Sequence, residues 1–60
     1  MTAKEIKLLR HKLDLTQKQF AEKLGCNVQN IVRWENSQAK PMRLYEEMLE
    51  KLNKETNETK

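Results

Sequence analysis

The sequence predicts an all-α domain, a small bundle of four to five helices, on three observations. One glycine, one proline and three aromatic residues in sixty, with no useful run of alternating apolar and polar positions, argue against a sheet. Apolar residues instead recur at three-and-four spacing in segments that begin at threonine, asparagine or proline. The lone glycine, Gly25, falls between two such segments, where a helix must stop and another begin. Sixty residues make one domain with a modest core and no room for a second functional unit.

The first helix opens at about Ala3, because Thr2 and Glu5 form a capping box. Ile6, Leu9 and Leu13 supply its buried stripe, and it ends near Leu13. Asp14-Leu15 connects to Thr16, the N-cap of a second helix, with Gln19 completing a second capping box. Phe20, Ala21 and Leu24 share the inner face of that helix, which stops at Gly25 in the left-handed conformation only glycine adopts freely. Asn27 then caps a third helix. Two helices joined by so short a glycine-containing turn cross steeply, the helix-turn-helix geometry, here spanning about residues 17–35.

On the third helix Ile31 and Trp34 point inward by their spacing. The other face is Val28, Gln29, Asn30, Val32 and Arg33, which carries no acid and offers amides and a guanidinium suited to base edges or phosphates. Val28, near the helix start, has two readings, a thymine-methyl contact or a core residue. Asn36 to Lys40 is a polar loop, and Pro41 suits the first position of a fourth helix running to about Leu52. Leu44, Tyr45, Met48, Leu49 and Leu52 make that helix's apolar stripe wider than three small helices can cover, so part of it is expected to be an interface. The domain therefore covers residues 1–52, and the polar tail, 53–60, is expected to be disordered.

The formal charge of +3 is unevenly placed. Nine basic and four acidic residues lie in Met1–Arg43, against three basic and five acidic in Leu44–Lys60, so the helix-turn-helix half is the cationic one and suits a polyanion. No apolar run is long enough for a membrane span or signal peptide, which leads to an expectation of a cytoplasmic protein with no membrane partner. Cys26 has no second cysteine, and His11 is the one histidine, so no metal ligand set, cofactor site or nucleophile–base pair is expected, and an enzyme is the least favoured class. Cys26 reads as a packed, inert thiol.

Arg10, Leu15-Thr16-Gln17, Ala21, Gly25, Ile31, Trp34-Glu35 and Pro41, at these offsets, resemble the lambda-repressor-like (Cro/cI or XRE) helix-turn-helix family over roughly Ile6 to Leu52. The resemblance implies that Asn27, Val28, Gln29, Asn30 and Arg33 read bases. It places Thr16, Gln17, Asn36, Lys40 and Arg43 against the DNA backbone, and makes Arg10 and Glu35 a structural pair joining the first helix to the end of the recognition helix. Ser37 stands where the family usually has glycine, which puts the loop geometry in question. The implied function is a sequence-specific regulator, a repressor or autorepressor, binding double-stranded operator DNA. One such domain makes few base contacts, so a homodimer on an inverted repeat is expected, with half-sites about 34 Å apart and Tyr45, Met48, Leu49 and Leu52 as the dimer surface. Phage repressors and small plasmid or defence-operon regulators are similar in size and layout. Two alternatives stay open: an antitoxin that also binds a toxin protein, and a protein-interaction module on the same scaffold.

Overall fold

In the computed structural model, which describes residues 1–58, the chain forms four helices: α1 (Ala3–Lys12), α2 (Gln17–Leu24), α3 (Val28–Glu35) and α4 (Arg43–Glu58). Helix α3 packs on both α1 and α2, and α4 closes the bundle against α1. The two threonine capping boxes are in place, Thr2 with Glu5 and Thr16 with Gln19, and Asn27 caps α3 by accepting from the Gln29 N–H at 2.9 Å. Each cap satisfies backbone donors that a helix start leaves without a partner.

The first three helices end in the same way. After each, two crossed backbone bonds close the last turn: Leu15 N–H to Arg10 O with Asp14 N–H to His11 O, Cys26 to Ala21 with Gly25 to Glu22, and Gln38 to Arg33 with Ser37 to Trp34. This reversal needs a left-handed residue, and Asp14 (φ 57°), Gly25 (φ 73°) and Ser37 (φ 60°) supply it. A methyl group at Gly25 would meet nothing within 4 Å, so backbone conformation alone makes glycine the favoured residue there. Ser37 thus keeps the loop in the conformation that glycine would give.

Ile6 and Leu9 of α1, Phe20, Ala21 and Leu24 of α2, Ile31 and Trp34 of α3 and Leu49 of α4 form one buried cluster. Trp34 also lies on Tyr45, ring centroids 5.6 Å apart and tilted by 50°. Helix α4 departs from expectation at both ends. Pro41 stays outside it, in the irregular stretch before Arg43, and the carbonyl of Met42 accepts the first helical bond from Glu46 N–H. The expected disordered tail is helical through Glu58, while Thr59 and Lys60 lie outside the described residues. In residues 53–56, which carry no apolar side chain, Asn53 is half-buried beside α1, Thr56 is half-buried near Leu13 and Lys23, and the Thr56 hydroxyl donates to Leu52 O at 2.8 Å. Lys54 and Glu55 between them are good helix formers.

Candidate nucleic-acid interface

Helix α3 turns Ile31, Trp34 and Glu35 inward. Its outward row begins with Asn27 and continues through Gln29 and Arg33, all exposed and one turn apart where they are helical. The oxygen of Asn27 is occupied by the cap, which leaves its amide donors to face outward. Asn30 is half-buried, and its side chain hydrogen-bonds the Cys26 thiol. Val28 is half-buried and packs against the core cluster, the second of its two readings, so only part of its surface stays on the outer face. The one carboxylate of α3, that of Glu35, is buried, and the outer face carries no negative charge.

Glu35 is the node that fastens this helix. Arg10 grips its carboxylate with two donors, Nε to Oε2 at 2.7 Å and Nη2 to Oε1 at 3.3 Å, and a third donor of the same guanidinium reaches the Leu15 carbonyl at 3.0 Å. Gln17, the first residue of α2, donates its amide to Glu35 Oε1 at 3.2 Å. One buried carboxylate, its side chain 1% exposed, therefore ties the end of α3 to α1, to the α1–α2 connection and to the start of α2. A two-pronged guanidinium–carboxylate contact fixes orientation as well as distance. Sequence reasoning identified the Arg10–Glu35 pair but missed Gln17 and the Leu15 carbonyl. The separations of 18 and 25 residues leave no local signal for this node.

The residues assigned to the DNA backbone divide by what already holds them. The Thr16 hydroxyl accepts from Gln19 N–H, and Gln17 is half-buried in the Glu35 node with one amide proton committed. Asn36 ends α3, and Lys40 stands exposed in the loop that follows. Arg43 pairs with Glu47 at 3.3 Å, but both side chains are open to solvent, so the pair is weak and readily exchanged for a phosphate.

The expected dimer surface needs correction. Leu49 is fully buried in the core and offers no open face, while Tyr45 is half-buried with its ring against Trp34. Met48 and Leu52 are half-buried against the same cluster. A stripe read from one helix alone cannot show which of its edges the neighbouring helices cover; among the described residues the large apolar side chains left exposed are Leu8, Met42 and Leu44.

Burial pushes the Cys26 thiol above the ordinary range, opposed in part by its hydrogen bond with Asn30. Among the described residues no group of three or more His, Cys, Asp or Glu side chains could hold a metal ion, and no helix is long and apolar enough to cross a membrane.

A short turn through Gly25 between two packed helices, a fastened second helix and an acid-free outward row define a helix-turn-helix DNA-binding domain. A family model described as helix-turn-helix matches residues 6–58, nearly the whole chain. The chain belongs to this family, the Cro/cI/XRE-type helix-turn-helix DNA-binding regulators. Searches of curated proteins and of solved structures gave no match.

Proposed function

We propose that the chain is a sequence-specific transcriptional repressor or autorepressor that lays α3 in the major groove of an operator. The observation that carries this is the exposed row Asn27, Gln29 and Arg33, free of carboxylates and held rigidly by the Arg10–Glu35–Gln17 node. Arg33 can fork onto guanine and Gln29 can pair with adenine, while Thr16, Gln17, Asn36, Lys40 and Arg43 would supply donors for phosphate. Asn30 and Val28 contribute from the half-buried edge of the same face.

Occupancy by a homodimer on an inverted repeat would give the affinity that one small domain lacks. With Leu49 buried in the fold, Leu44 together with the outer edges of Tyr45, Met48 and Leu52 is the surface of α4 left for a second copy.

The test is binding of the purified chain to the DNA upstream of its own gene, at two salt concentrations and against an unrelated duplex of equal length. Selective binding that weakens with salt, by a slope of about 0.9 per phosphate contacted, and that rises more steeply than a single site is expected. Gln29→Ala and Arg33→Ala should each reduce site discrimination by about 1–3 kcal/mol. Binding that ignores both sequence and salt would overturn the reading and favour a protein partner such as a toxin.

A further inference from the structure

A cavity of about 250 Å³ lies where the start of α1, the end of α3 and the stretch before α4 meet. It reaches down to Ile6 and Trp34 of the core, and Pro41 forms part of its wall. A cavity of about 150 Å³ lined by apolar side chains is enough to take up benzene, so this one has room for a single aromatic ring with a short side arm. The polar groups on its α1 side are already committed, since the Thr2 hydroxyl accepts from Glu5 N–H and the amino group of Met1 pairs with Glu46. Those on its solvent side are not. Ser37 and Lys40 are exposed, and among the described residues neither side chain has a hydrogen-bond or ion-pair partner.

No Asp or Glu lines the cavity. Its field is therefore set by one ammonium, with a hydroxyl three residues before it. An apolar floor with a cation and a donor at one edge suits an apolar anion, whose body leaves water while its charge stays at the rim. A single ammonium matches the one charge of a carboxylate, whereas a dianionic phosphate would keep charge unmatched beside the apolar floor.

We propose that this cavity is a binding site for a small aromatic carboxylate, its ring over Ile6, Trp34 and Pro41 and its carboxylate between Ser37 and Lys40. Occupancy neutralises Lys40, one of the cations assigned above to the DNA backbone, so bound ligand and duplex compete. That consequence rests on the proposed DNA-binding function; the site itself does not.

The experiment titrates phenylacetate into the full chain at neutral pH without DNA, follows the amide and indole N–H signals by NMR, and uses phenethyl alcohol as the neutral analogue. Phenylacetate should saturate with a roughly millimolar Kd, the scale of so small a ligand, with its largest shifts at the Trp34 indole and the amides of Ile6, Ser37 and Lys40. Phenethyl alcohol should bind about fivefold more weakly, and Lys40→Ala should bring the two to within about twofold of each other. Because Lys40 is exposed, that variant should fold as its parent does. A second titration, at constant ionic strength, reads affinity for a random-sequence duplex. Saturating phenylacetate should weaken it in the parent and leave it unchanged in Lys40→Ala. Shifts spread over lysines remote from the cavity, absence of saturation, or equal binding of the neutral analogue by the parent overturns the site. Saturable binding at the cavity with no effect on duplex affinity overturns the competition. Failure of the parent to bind any duplex overturns the DNA-binding function, and the site then stands or falls by the first titration alone.

Discussion

At the residue scale the molecule depends most on Glu35. A buried carboxylate that loses its cation is left with an uncompensated charge, so Arg10→Ala is expected to cost about 3–5 kcal/mol. A sixty-residue domain at roughly 0.05–0.15 kcal/mol per residue has about 3–9 kcal/mol in total. The variant should therefore lose much of its stability and unfold at a far lower urea concentration than the parent. Replacing both partners, Arg10→Met with Glu35→Leu, should recover stability that either single change loses, since the desolvation cost is then removed along with the pair. A double variant no better than Arg10→Ala would show that the node works through Gln17 and Leu15 rather than through the ion pair. Cys26 allows a second test at this scale. With its folded-state thiol held protonated above the usual range, the thiolate population at neutral pH is small, and alkylation should be slower than for free cysteine. The rate should climb only at a pH above that of free cysteine. Because the folded value is raised, any contribution to stability is full below the unfolded pKa and fades as pH rises past it. Alkylation at the free-cysteine rate near neutrality would contradict the burial.

At the element scale, what a helix buries depends on its neighbours, and this is where the sequence was only partly legible. Helices α1, α2 and α3 were readable to within a residue because their starts are written in side chains: Thr2, Thr16 and Asn27 each supply a capping oxygen. Helix α4 has no such signal. Met42 before it brings no capping oxygen, and the proline rule placed its start at Pro41, two residues early. Its end was missed because Asn53 and Thr56 fill half-buried positions that an apolar pattern does not register. How α1 and α3 turn at their ends was also not legible, since Asp14 and Ser37 take the left-handed conformation for which glycine is the recognisable sign. The correction at Leu49 carries its own prediction. Leu49→Ala should cost about 2–5 kcal/mol through a core cavity, while Leu44→Ala, on the exposed side, should change monomer stability by less than about 0.5 kcal/mol. Equal losses in chemical denaturation would mean that Leu44 is covered.

At the scale of the whole molecule, three of the helices are ten, eight and eight residues long, too short to persist alone in water. The recognition helix exists only because the bundle does, and its outward row is as rigid as the node behind it. The residues proposed to face DNA came as a set from their resemblance to a family. The division among them was not legible: Gln17 is shared with Glu35, Asn30 with Cys26 and Val28 with the core, and such divisions depend on contacts between distant positions. Trp34 sits at this junction, 4% exposed, one residue from Glu35 and stacked at a tilt on Tyr45 of α4. As the only indole in the chain it is an intrinsic fluorophore that sees the recognition helix and the closing helix at once. Its emission should shift in step with the loss of helical circular dichroism as the domain unfolds, giving one optical signal for the integrity of the whole reading head.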